Sequence, residues 1–142
     1  MPGVGLVFRR LASDTERGRA ARLVQAAGLT MPGSSEATWF GLWDVAAVEG
    51  ADLVGVAATH PSGRGVVELD ALAVPAPLRR RGYGRRLLAE VVNRGRAEGA
   101  ERLLVRLPAG SGVQALLSAA GFRADEAGQD PDRTVVLWWL EL

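Results

Sequence analysis

The chain has no cysteine and no lysine; all 17 of its basic residues are arginine. The first absence excludes disulfides, thiolate metal sites and a cysteine nucleophile, and fits a reducing compartment. The second excludes a P-loop lysine and Schiff-base chemistry. No apolar run approaches the roughly 20 residues needed to cross a bilayer, so no membrane association is expected. The opening segment, MPGVGLVFRR, lacks a charged start followed by a long apolar run. No signal peptide is read there, and a cytoplasmic location is expected. A net charge of +1 gives no global case for nucleic acid as a partner.

What is present suits a single domain spanning residues 1–142. Hydrophobic residues make up 48% and charged residues 23%, a soluble globular profile. Val4 to Arg10 has the character of a strand. Ser13-Asp14-Thr15-Glu16 is a capping-box sequence that opens a helix to about Ala27, with Gly28 as its stop. Leu29 to Glu36 is a Pro/Gly/Ser-rich loop. Trp39–Val48 and Asp52–His60 are strands joined by a turn at Glu49-Gly50-Ala51, and Val66–Val74 follows a second turn at Pro61–Gly65. Arg80–Glu98 is a helix with Leu87, Leu88, Val91 and Val92 as its apolar stripe. Arg102–Leu107 is a short buried strand, Gly112–Ala120 a helix ended by Gly121-Phe122, and Thr134–Leu142 a final strand. The order is β-α-β-β-β-α-β-α-β, a mixed α/β (α+β) fold. Val66–Val74, the helix after it and Arg102–Leu107 should form a right-handed parallel βαβ unit.

Between Arg79 and Arg106 lie nine arginines against three glutamates, a patch that wants anions. Its densest part is the junction Val74-Pro75-Ala76-Pro77-Leu78-Arg79-Arg80-Arg81-Gly82-Tyr83-Gly84-Arg85. A helix N-terminus offers unpaired amides and partial positive charge, and glycines at 82 and 84 let a pyrophosphate approach the backbone. A dinucleotide fingerprint would need a third glycine at position 87, which is leucine. Nucleic acid is disfavoured locally as well, because Tyr83 is the only aromatic among the basic residues.

Arg79 to Gly84 does fit R/Q-x-x-G-x-G/A, and here the chain resembles the GNAT superfamily, whose members carry this motif for the pyrophosphate of acetyl-CoA. The motif there follows an apolar strand ending five residues before its first residue, as Val74 does here. The Gly121-Phe122 pair after a late helix and the element order are similar too. The specific part of the resemblance is Glu68 to Arg86. It implies a mixed central sheet of about six to seven strands flanked by about four helices, and acetyl-CoA as co-substrate without a metal. It also implies CoA contacts from Leu72, Ala73, Val74, Arg79, Arg80, Arg81, Gly82, Tyr83, Gly84 and Arg85. The backbone of Leu72–Val74 would pair with the pantetheine arm, provided that strand parts from Arg102–Leu107.

Acetyl transfer to an amine needs a base, and the resemblance points to Glu68, six residues before Val74. In an unbroken strand Glu68 and Asp70 share a face, and a carboxylate pair can raise one pKa toward neutrality. Asp70 is therefore the second candidate. His60, the single histidine, abuts a Pro-Gly turn and reads as an exposed turn residue. The chain departs from the family at its last helix. The Asn and the thiolate-protonating Tyr of many members are replaced by Gly110 and Leu117, and a branch-specific glutamate by Val105. Ser111 and Ser118 are the polar substitutes at hand. The acceptor pocket is expected at the Leu29–Glu36 loop with Trp39 and Trp43, although plain packing of both tryptophans is the simpler reading. The acceptor is expected to be a small-molecule primary amine, with a peptide or protein amine as one alternative and a non-catalytic acyl-CoA sensor as another. Trp138 and Trp139 point to opposite faces of the last strand, so one could mark a homodimer contact.

Overall fold

A computed structural model describes residues 5–27, 37–46, 52–108, 112–125 and 135–142. In chain order they form β1 (Leu6–Arg10), α1 (Asp14–Ala26), β2 (Thr38–Asp44), β3 (Asp52–Pro61) and β4 (Val66–Ala73). A 3-10 turn (Ala76–Leu78), α2 (Tyr83–Ala97), β5 (Arg102–Pro108), α3 (Gln114–Ala119), β6 (Arg123–Asp125) and β7 (Val135–Glu141) follow. The seven strands make one sheet in the order β1-β2-β3-β4-β5-β7-β6. Only β4 and β5 are parallel, and the helix that crosses between them is α2, as the βαβ reading requires.

Each face of the sheet has its own helical cover. The α2 stripe Leu87, Leu88, Val91 and Val92 packs with Leu117 of α3 on Leu69, Leu103 and Val105. On the other face Ala20 and Val24 of α1 pack on Val56, Ala58, Ala71 and Ala73. Small strand residues let α1 lie close. Gly55 plays a similar part for α2, because a Cβ there would sit 3.2 Å from Leu87 Cδ2 and 3.4 Å from the Ala73 carbonyl oxygen. Leu42, Leu87, Leu88, Leu103 and Leu117 are fully buried, each stabilising by about 1.5–3 kcal/mol.

Three differences from the sequence reading have local causes. β6 was not expected, since three residues are too few to show alternation. α2 starts at Tyr83, not Arg80: Arg80 has φ 66° and the N-cap Gly82 φ 83°, so the chain turns through left-handed conformations before the helix begins. β2 ends at Asp44, whose carboxylate accepts a hydrogen bond from the Ala46 N–H and starts a turn. Gly28, the 29–36 loop, the 49–51 turn, Gly110 and Ser111 lie outside the described residues.

The capping box forms with its glutamate reaching the amide just before the cap residue. Ser13 Oγ accepts from the Glu16 N–H at 3.1 Å, and Glu16 Oε1 accepts from the Ala12 N–H at 2.8 Å. Glu16 also takes two bonds from Arg9, at 2.7 and 3.1 Å, which ties α1 to β1. Those bonds, Arg9 first, hold the Glu16 carboxyl at about 2, below its ordinary 4.5. A depressed folded-state pKa contributes stability above pH 4.5 and loses it as pH falls toward 2. Glu16→Gln should therefore lower the melting temperature at pH 7 and match the parent near pH 2. Thermal scans across that range check this; an undiminished gap at pH 2 would contradict it.

Candidate active site

Strand β4 is divided by a single extra residue. Ala58 pairs with Ala71 but Thr59 pairs with Leu69, leaving Asp70 as a bulge. Leu69 accordingly belongs to the α2-side core and Ala71 to the α1-side core. Bulges bend a strand and increase its twist. Pairing of β4 with β5 stops at the same point, Leu69 opposite Val105, while β5 continues beside β7 as far as Pro108. Beyond Leu69 the two parallel strands part. On that side Asp70–Ala73 has no strand partner among the described residues, although Leu72 and Ala73 still pair with β3. Unpaired main-chain groups at such an edge are a template for an extended ligand that carries amides.

Polar side chains from three strands meet on the α1 side of this fork. Glu68 and Asp70 share that face, as expected, because Leu69 between them points into the α2-side core. His60 of β3 lies opposite Glu68. Its Nδ1 is 2.6 Å from Asp70 Oδ2, and its Nε2 is 4.0 Å from Glu68 Oε2. The other Glu68 oxygen, Oε1, accepts from Arg106 Nε of β5 at 2.8 Å. The three acid and imidazole side chains are only 11–18% exposed. Burial pushes the Asp70 carboxyl above the ordinary carboxylate range, while the hydrogen bond from His60 pulls the other way. The ligand atoms of His60, Glu68 and Asp70 lie within 4.8 Å of one another, a spacing a divalent cation could use. The Arg106 guanidinium already supplies Glu68 with its positive partner, and we assign no metal.

His60 is the residue that the sequence reading missed. Its proline and glycine neighbours suggest an exposed turn, whereas the imidazole is largely covered by β4. A signal was available: His60 and Glu68 are each four residues from Arg64 at the centre of the turn, so a hairpin places them opposite each other.

The second part of the site is the mouth of α2. Gly82, with φ 83°, is the N-cap, and a Cβ there would meet no atom within 4 Å. Glycine is thus favoured by backbone conformation, with open space where its side chain would be at the start of α2. Among the described residues Arg79, Arg80, Arg81 and Arg85 make no ion pair, while Arg86, Arg94, Arg102 and Arg106 are each paired with a glutamate. Four arginines without an ion pair thus adjoin the positive end of the helix dipole. Arg79 also braces the loop, donating from Nε to the Val74 carbonyl at 3.2 Å. Tyr83 packs against the α2-side core.

Leu117 is fully buried in the core and Val105 nearly so, so neither position offers a proton donor; Ser118, next to Leu117 in α3, is exposed. Trp43 is 4% exposed, with Arg9 and Arg19 stacked over its ring at 4.5 and 5.5 Å, and is a core residue. Trp39 packs against the same cluster. Trp138 packs on the α2-side core, and Trp139 lies beneath the Arg102 guanidinium.

Comparison with known proteins agrees with this geometry. The description "Acetyltransferase (GNAT) family" matches residues 15–122. No curated protein matches the sequence. Among solved structures, the fold is similar to an acetyltransferase of this family from Desulfovibrio desulfuricans described as putative (TM-score 0.78, 21% identity, 96% of this chain and 98% of that one). It is also similar to a Bacillus subtilis acetyltransferase in complex with CoA (TM-score 0.74, 19% identity, 96% and 99% covered). The ribosomal-protein-S18-alanine N-acetyltransferase of Escherichia coli is a further neighbour (TM-score 0.72, 19% identity, 96% and 93% covered). With the matched model spanning the α2 mouth, the bulged strand and the forked sheet, the chain belongs to the GNAT acetyltransferase family.

Proposed function

We propose that this protein transfers the acetyl group of acetyl-CoA by direct attack of a small-molecule primary amine. The observation that carries the reading is the unpaired edge Asp70–Ala73, which ends beside the arginine-rich mouth of α2 and has carboxylates on its flank. The diphosphate of CoA binds the amides of Tyr83, Gly84 and Arg85, aided by Arg80, Arg81 and Arg85. The pantetheine arm lies along Leu72, Ala73 and Val74 as an added strand, and an amide near Val74 polarises the thioester carbonyl. Glu68 and Asp70 belong to the cluster that receives the acceptor's ammonium and its proton. Their 11–12% exposure suits a single slim cationic group.

Leu117 leaves the thiolate without a tyrosine donor. This is tolerable chemically, because a thiol has an ordinary pKa of about 8.5 and its anion is a fair leaving group. The buried Leu117 favours one second reading, a module that binds acyl-CoA without turnover.

Two outcomes are expected. Gly82→Ala and Gly63→Ala each place a side chain at positive φ, +83° and +99°, and should each cost about 1–2 kcal/mol of stability. Only Gly82→Ala should weaken CoA binding, by about tenfold or more (about 1.4 kcal/mol). Calorimetric titration of both variants checks this, and equal CoA affinity in the two would contradict the assignment of the α2 mouth. In a thiol-release assay over a panel of amines, Glu68→Gln and Asp70→Asn should each lower the rate by about 10²–10⁴ while CoA affinity is kept. Unchanged rates would remove both carboxylates from the chemistry. CoA binding without thiol release from any amine would favour the sensing module.

A further inference from the structure

Resting on the acetyl-transfer reading above, we infer that His60 is the catalytic proton acceptor, that Asp70 is its positioning residue, and that Glu68 holds the acceptor's ammonium beside it. Three distances carry this. His60 Nδ1 is within hydrogen-bond reach of Asp70 Oδ2, at 2.6 Å, so Nδ1 carries the hydrogen and Nε2 is left with its lone pair. That Nε2 has no hydrogen-bond partner among the described residues, and Glu68 Oε2 lies 4.0 Å away. A nitrogen placed about 2.8 Å from both atoms subtends an angle of about 90° between them, close to the spread of two N–H bonds on one ammonium. The pair is thus spaced to accept two hydrogen bonds from a single ammonium group. Glu68 is fixed in this pose by Arg106 on its other oxygen, at 2.8 Å.

The choice of atom follows from ordinary acidities. An imidazole normally titrates near pH 6.5 and a carboxylate near 4, so the imidazole is the better acceptor of an ammonium proton at neutral pH. The charged groups around His60 are Asp70 and Glu68 of β4 and, through Glu68, Arg106 of β5. Arg10 of β1 lines the 220 Å³ cavity that His60 borders, with Arg94 of α2 and its ion-pair partner Glu98, which follows that helix. In the step itself Nε2 takes one proton from R–NH3+, giving R–NH2 and an imidazolium facing Asp70. The amine lone pair then bonds to the thioester carbon. Collapse breaks the C–S bond and expels the CoA thiolate, which takes the remaining proton from the acetylated nitrogen to give the amide and free thiol. The imidazolium then returns its proton to water.

The test combines kinetics with a readout that needs no turnover. His60→Gln should lower kcat/KM for the amine by about 10²–10⁴ with CoA affinity unchanged, and should erase the acid limb of the pH–rate profile. Added imidazole should restore part of the rate to His60→Ala. A His60→Gln enzyme that keeps both rate and acid limb would overturn the inference while leaving acetyl transfer intact. In the parent protein, long-range 15N–1H NMR of the histidine should show the Nδ1–H tautomer, and Asp70→Asn should disturb it. An Nε2–H tautomer would overturn the assignment even if no amine tried releases thiol, a result that would instead count against the proposed function.

Discussion

The structure turns on one extra residue in one strand. Were β3 and β4 in unbroken register, β4 could remain paired with β5 along its length and its amides would be satisfied within the sheet. The bulge at Asp70 changes the twist where β4 and β5 stop pairing. A row of main-chain donors and acceptors is left facing a gap, and buried backbone groups rarely stay without a partner. The same residue brings a carboxylate onto the flank of that gap. The unpaired edge and the carboxylate beside it thus share a single cause in the backbone.

Around this fork the charges are sorted by partner. Arg86, Arg94, Arg102 and Arg106 are each paired with a glutamate, while Arg79, Arg80, Arg81 and Arg85 beside Gly82 are left to solvent or an anion. The bulged strand and the uncompensated helix terminus are nine residues apart in sequence between Ala73 and Gly82, bridged by a loop that Arg79 braces through the Val74 carbonyl. A ligand with a diphosphate at one end and amides along its arm would satisfy both features together.

Much of this was legible in the sequence. Apolar runs bounded by Gly, Pro and Ser placed most of the strands, and the 3.6-residue stripe of α2 placed its buried face. The capping box at Ser13 and the glycine turn that opens α2 at Gly82 depend on near neighbours, so they could be read directly. The bulge could not, because the alternation through Glu68, Leu69 and Asp70 continues smoothly and only pairing with β3 reveals the slip. His60 was obscured for a related reason: its burial comes from a strand reached across the turn, while its immediate neighbours suggest exposure. Arg80 was assigned to a helix by propensity, although the chain must first turn through Gly82. Trp39 and Trp43 on β2 pack against the α1-side cluster, the simpler of their two readings.

The most direct measurement is a crystal structure of the protein with CoA bound. The account expects the diphosphate within hydrogen-bond distance of the Tyr83–Arg85 amides, the pantetheine amides paired along Leu72–Val74, and the thiol on the Asp70 side of the fork. CoA lodged elsewhere, such as the groove of about 500 Å³ bordered by Leu88, Val92, Leu116 and Leu140, with the fork empty, would contradict it.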